Sequence, residues 1–213
     1  ITIANAVRHL VCLGIKPRYL AGAFHGGDLT NNMDQWFLNE FVSGARKAAK
    51  AFQLRNMNEM ITKNNSLHPI ADVITAGSGK VRCLPLFNTP GDFVTIVGSL
   101  RAETGGSMYG DIIHKNKHIG HPSTIDIIME CRLQEVILQG IAVGLIRSVV
   151  NVSRGGLALA IANSLLLGSG GVGARIHFSR KMRNDELLFG ETHGLVVVTL
   201  SENDLIEFER ICM

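Results

Sequence analysis

Three short stretches set glycine pairs beside polar side chains: His25–Asp28 ("HGGD"), Glu103–Ser107 ("ETGGS") and Val152–Leu157 ("VSRGGL"). A glycine pair lets backbone N–H groups face an anion, and a helix starting behind it adds the positive end of its dipole. The chemistry such a corner could do is phosphate binding. The alternative at each is a plain tight turn. None of the three carries the Lys-Ser or Lys-Thr of a P-loop. Gly168–Gly173 ("GSGGVG") has the look of a dinucleotide fingerprint, but it is expected to precede a strand where that fingerprint follows one. At the third corner Arg154 stands just before the pair and no acid flanks it. A guanidinium can bind phosphate directly and would repel a metal ion.

Other chemistries find less support. The eight histidines show no metal-ligand spacing; His114, His118 and His121 are close in sequence but have no cysteine or carboxylate cluster beside them. Cys12, Cys83, Cys131 and Cys212 are far apart, as expected of reduced, mostly buried thiols in a cytoplasmic protein. There is no G-x-S-x-G elbow.

The elements that must position these corners follow from pattern. A chain of 213 residues can form one large domain or two small lobes. With 46% hydrophobic and 18% charged residues it reads as globular. A net charge of +3 is too small to argue for nucleic acid, and "HFSRKMR" (His177–Arg183) reads as a solvated turn. The longest apolar stretch, Leu157–Leu167, is interrupted by Asn163 and Ser164 and cannot span a bilayer. The chain starts inside a helical pattern with no initiator Met, so a longer parent is expected.

Ile3, Ala6, Val7, Leu10 and Val11 predict a helix stopped by Gly14. Then come a strand over Arg18–Phe24, a polar loop over His25–Asn32, and a helix carrying Trp36, Phe37 and Phe41, with Asn32 and Gln35 as its capping box. Residues 55–69 show no period and read as an exposed loop. Ile70–Ala76 is a strand, and a second unit starts near Pro90. It holds a strand at Asp92–Leu100, a short helix before His114, a long helix marked by Ile127 to Leu145, a strand at Ile146–Val150 and a helix at Gly155–Leu167. Strands at Gly173–Phe178 and Gly194–Leu200 and a last helix from Glu202 complete it. This alternation predicts an α/β or α+β arrangement with helices on the sheet.

Taken in order, "AVRHLVCLGIKPRYLAGAF", "GDFVTIVGSL", "ETGGSMYGDIIH", "LQEVILQGIAVGLIRSVVNVSRGGLALAIANSLL", "GVGARI" and "LLFGETHGLVVVTLSENDLIEFE" resemble the synthetase subunit of phosphoribosylformylglycinamidine synthase. The similarity is to the second of its two homologous halves, within the AIR-synthetase-like ATP-binding superfamily. It covers nearly the whole chain except 55–69. The resemblance implies an AIR-synthetase-like α/β (α+β) fold of two lobes, each a mixed sheet covered by helices. Residues 1–90 would be a partial N-terminal-like lobe and 91–213 the C-terminal-like lobe.

It also implies a chemistry. ATP converts the formamide oxygen of formylglycinamide ribonucleotide into a phosphate ester, and ammonia from a separate glutamine amidotransferase unit displaces it. The cofactors implied are ATP and magnesium, the metal held by acidic oxygens. Carried over, Gly105, Gly106, Ser107, Asn151, Ser153, Arg154, Gly155 and Gly156 would meet the nucleotide, and Glu191 in "GETHG" the metal. No catalytic residue falls in this chain; the family's catalytic histidine lies in the other half, so this chain alone is expected to be inactive.

The departures are specific. The family's His, Asp and second acid before the glycine pair are here Val150, Asn151 and Arg154. An Asp of the first strand aligns with Gly22, and the family's "GNVSFYN" is not recognisable near 55–67. Hence the other reading: a degenerate, non-catalytic homologue acting as a scaffold. Trp36, Phe37 and Phe41 on consecutive helical turns predict packing against a homologous segment, in the missing N-terminal half or in a second copy.

Overall fold

The computed structural model describes residues 1–26, 31–63, 70–115, 122–169, 171–178 and 182–213. Helix α1 (Thr2–Cys12) buries Ile3, Val7 and Val11, spaced four apart on one face. Strand β1 (Lys16–Gly26) leads through helix α2 (Asn32–Ala51) into β2 (Arg55–Lys63), which pairs with it in parallel. A parallel pair needs such a long crossover, since a tight turn cannot return the chain to the same end. Strand β3 (Ile70–Ser78) then pairs antiparallel with the other side of β1, giving the order β2-β1-β3.

A second sheet has the order β4-β6-β5. Its strands are β4 (Phe93–Gly98), β5 (Ser148–Asn151) and β6 (Leu195–Leu200), both outer strands running antiparallel to β6. Around it lie α3 (Met108–Ile113), α4 (Ile127–Ala142), α5 (Gly156–Leu166), α6 (Asn184–Phe189) and, after a 3-10 turn at Glu202–Asp204, α7 (Leu205–Cys212). Every residue of β6 is buried. Its side chains alternate between two cores: Val196, Val198 and Leu200 join Ile137 and Phe208, while Leu195 and Val197 join Leu157 and Ile161. A strand covered on both faces reads as continuous apolar sequence, which is what "LVVVTL" shows.

The first of those cores reaches across both sheets. Val7 and Val11 of α1 share it with Leu20 of β1, Ile137 of α4, Val149 of β5 and Val198 of β6. All strands of the first sheet precede Pro90 and all strands of the second follow it, and α1 ties the two together.

Among the described residues the first sheet is covered on one side only. Leu20 and Phe24 are buried beneath α2, where the Phe24 and Phe41 rings lie 5.4 Å apart. The opposite face carries Ile74 beside Ala21, Met60 and Asp72 on either side of Ala23, and Ile70 beside His25; Ile74, Met60, Ile70 and Asp72 are exposed. Helix α2 contains no buried residue, and Trp36 and Phe37 pack edge to face on each other while staying exposed.

Four local expectations need correction. Residues 55–63 form β2: it is an edge strand, and Met60 and Ile61, adjacent in sequence, are both exposed, so the two give no alternating signal. Residues 173–178 form no strand; Ile176 and Phe178 pack singly against the second core without a partner strand. Helix α6, too short to show a period, was not foreseen. The cap of α2 is Asn31, one residue before the expected Asn32; its side chain accepts the Met33 N–H at 2.9 Å. All four cysteines are unpaired, with Cys12 and Cys83 buried, Cys131 partly buried and Cys212 exposed. Among the described residues no helix is long and apolar enough to cross a membrane.

Candidate functional site

Two of the three glycine corners meet. In the first, Gly106 adopts φ +70 and Ser107 caps α3, accepting the Gly110 N–H at 3.1 Å and donating to the Thr104 carbonyl at 2.6 Å. Ser107 is fully buried, so its hydroxyl serves the turn. In the second, Gly155 and Gly156 adopt φ +82 and +67 at the start of α5. A Cβ on Gly156 would stand 2.8 Å from the carbonyl oxygens of Leu188 and Gly190, so the glycine is required by the close pass of the α6 end.

Glu191 joins these corners. Its Oε1 accepts the N–H of Met108 at 2.8 Å and the N–H of Gly155 at 2.9 Å. One carboxylate oxygen thus sits where the starts of α3 and α5 converge, a place that suits negative charge. The Gly156 N–H is used as well, donating to the Ser153 carbonyl at 3.0 Å. Arg154 is exposed beside this point and Ser153 is half-buried.

Asn151 points elsewhere. It is buried, its Oδ1 accepts from Arg8 Nη1 at 2.8 Å, and its Nδ2 donates to Asn5 Oδ1 at 2.7 Å and to His9 Nε2 at 3.2 Å. Arg8 in turn forks onto Glu130, through Nε at 2.8 Å and Nη2 at 2.9 Å, and Gln134 donates to the same carboxylate at 2.9 Å. Arg8 and Glu130 are each 1% exposed. A buried pair tolerates desolvation only when its remaining hydrogen-bonding capacity is met, and Asn151 and Gln134 supply that. The neutral amide at 151 also leaves one positive and one negative charge in the cluster. His9 accepts from Asn151 only when its Nε2 is unprotonated. Burial, helped by the nearby Arg8 charge, holds its pKa below the ordinary value. His193 is lowered for the same leading reason, burial, with Arg8 and the Ile1 amino group adding to it against Glu103 and Glu130.

Sequence reasoning missed Arg8 and Glu130. The available signal was a charge of opposite sign on the apolar stripe of each of two helices, Arg8 beside Val7 and Val11 and Glu130 near Leu133 and Ile137. The remaining corner residue His25 lies at the end of β1, its Nδ1 against Thr62 Oγ1 and its Nε2 3.0 Å from Asp72; Gly27 and Asp28 lie outside the described residues, as do His118 and His121. His114 packs edge to face on Tyr109.

The fit of a magnesium ion can be tested on these atoms. Among the described residues no three His, Cys, Asp or Glu side chains gather to hold a metal. Glu191 Oε1 is held by two N–H donors, and donors that stabilise an anion repel a cation. Asn151 is committed to a guanidinium. The described side chains therefore do not form a magnesium cradle.

Residues 89–213 match the family model for AIR synthase related protein, C-terminal domain. The phosphoribosylformylglycinamidine synthase subunit PurL of Alkaliphilus metalliredigens is 29% identical over 213 residues, covering 96% of this chain and 28% of that protein. In structure the chain is similar to T. maritima PurL complexed with FGAR, at TM-score 0.80 and 16% identity over 99% of this chain and 36% of that one. T. maritima PurL complexed with ATP superposes at TM-score 0.75, again at 16% identity, over 98% of this chain and 33% of that one. The chain thus spans under a third of the length of the Alkaliphilus relative. With its match over the greater part of its length, it belongs to the AIR synthase related protein family and carries that family's C-terminal domain.

Proposed function

We propose that this chain is a portion of an ATP-dependent formylglycinamidine ribonucleotide synthase, a C–N ligase of purine biosynthesis in the cytoplasm. The observation that carries the reading is alignment of 96% of the chain with a subunit named for that reaction. In this reading the chain works with a homologous half or a second copy and with a glutamine amidotransferase unit that supplies ammonia. By itself it is inactive, because it brings no catalytic histidine.

The nucleotide's phosphates would meet the chain at Gly105–Ser107 and Gly155–Gly156, with Arg154 exposed beside them. Support comes from Glu191: an anionic oxygen already sits between the N–H groups of Met108 and Gly155. A phosphate oxygen would take the same place once Glu191 turns away, and Arg154 would add charge. A magnesium ion on Glu191 would have to use Oε2 or displace both N–H donors, so the metal's acids are expected from the other half. ATP supplies the activating phosphoryl group when bound; this chain's residues hold and orient phosphate oxygens and stabilise their charge.

The test is ATP- and ammonia-dependent amidine formation from formylglycinamide ribonucleotide by the full-length protein that contains this chain. Turnover that falls with Arg154→Gln supports the reading, and absence of turnover with a folded protein removes it. A second reading, a non-catalytic scaffold, draws on the same corner, because its described N–H groups are already taken by Glu191 and Ser153. That reading predicts no amidine and no nucleotide binding.

A further inference from the structure

Far from the glycine corners, the end of α2 and the starts of β1 and β2 enclose a cleft of about 200 Å³. Lys16, Arg18 and Arg55 line it, and among the described residues no acid does. Among the described residues none of the three cations is paired with a carboxylate; Arg18 donates only to Ser78 Oγ, at 2.7 Å. A second cleft of about 420 Å³ opens from it, sharing Lys16, Pro17, Phe52 and Gln53. Its far wall is α4, which presents Glu135, Leu138 and Gln139. One end of the combined space is cationic, and the other offers amide and carboxylate acceptors over an aliphatic floor.

Gln53 forms the wall common to both clefts. It follows the α2 cap in the left-handed region, at φ +54, with the Leu54 N–H closing back onto the Ala49 carbonyl at 2.8 Å. This is the position after a helix where glycine is favoured. A side chain there costs about 1 kcal/mol relative to glycine, yet the chain keeps an amide that reaches the cleft.

The geometry points to a second anion site, for a small phosphate monoester whose phosphate lies among Lys16, Arg18 and Arg55 and whose hydroxyl-bearing body lies against Gln53, Gln139 and Glu135. Guanidinium and ammonium groups supply charge-assisted hydrogen bonds to the phosphate. Glu135 favours a neutral, donor-rich body over a second anion at the far end. The competing explanation is that the cations only offset the negative end of the α2 dipole.

Titration of the whole chain with inorganic phosphate and with ribose 5-phosphate, followed by calorimetry and by amide NMR shifts, separates these. Both probes are expected to bind, ribose 5-phosphate about tenfold more tightly, with shifts at Gln53, Leu54 and Arg55. Lys16→Gln with Arg55→Gln should weaken both by about tenfold or more. Gln53→Gly, which suits the left-handed backbone and should keep or raise stability, should weaken ribose 5-phosphate alone. No binding of either probe, affinity kept in the double variant, or shifts confined to Gly105–Ser107 and Gly155–Gly156 would each overturn the site.

Discussion

Strand β6 of the second sheet buries all six of its residues, whereas α2, which covers the first sheet, buries none of its twenty. On the uncovered face of the first sheet Ile74 is 70% exposed and Met60 57%. The second sheet is covered by helices on both faces, and one of its two cores is shared with α1 and β1. The first has one face covered by α2 and one turned outward; Trp36 and Phe37 are exposed on the α2 side. Exposed Ile70, Ile74 and Met60 share the outward face with Asp72 and the His25–Thr62 pair, so it is mixed apolar and polar. In the reading proposed above, a homologous half or a second copy would cover this face.

The largest effect is expected where the two regions are joined. Arg8→Met leaves Glu130 buried without its partner and should cost about 3–5 kcal/mol, read from urea unfolding. Adding Glu130→Leu should recover most of it, since a buried pair exchanged for apolar groups of similar size is close to neutral. If the double variant is as unstable as Arg8→Met, unpaired charge is not the cause.

Truncation in each sheet sharpens the contrast directly. Leu195→Ala in β6 should cost about 3 kcal/mol through lost burial and the cavity left behind. Ile74→Ala on the open face should change the stability of the separate chain by less than about 0.5 kcal/mol. If a second copy covers that face in solution, the loss at Ile74 becomes concentration-dependent. Equal losses at both positions in dilute chain would break the comparison.

The smallest effect is one of pH. The folded pKa of His9 is lowered by burial and by Arg8, so between the folded and ordinary values the unfolded chain binds more protons. His9 therefore contributes stability that is present above its ordinary pKa and is lost as pH falls toward the folded value. The urea midpoint should drop as pH is lowered through the ordinary histidine range, and His9→Gln, which can still accept from Asn151, should flatten part of that slope. His193 shifts in the same direction, so some slope should survive. A midpoint unchanged across that range would contradict the assignment.

How far the sequence reveals this molecule depends on how strongly burial patterns it. Helix α1 and strand β6 are legible because one full stripe and two full faces are covered. Strand β2 is not, because an exposed edge places no demand on residue type, and six-residue α6 is shorter than two helical turns. At the site, the glycine pairs stand out because positive φ and the close pass of Leu188–Gly190 leave little choice. Glu191 is legible only through the family resemblance, and its double hold on Met108 and Gly155 depends on contacts 83 and 36 residues apart in sequence. Arg8 and Glu130 are separated by 122 positions, and nothing local to either one announces the other. Asn151, where the resemblance expects an acid, reads as a lost metal ligand in the sequence, but in the structure it accepts from Arg8, which is paired with Glu130. A second carboxylate there would upset a balanced pair.

In the proposed reading the Gly155 corner holds anionic oxygen without a metal. Calorimetric titration of ATP into the chain, once with magnesium and once with a chelator, tests it most directly. Weak binding of similar affinity is expected in both conditions, tightened by Glu191→Gln, which removes the competing charge, and weakened by Arg154→Gln. Binding that appears only with magnesium would contradict it, as would no binding even with Glu191→Gln.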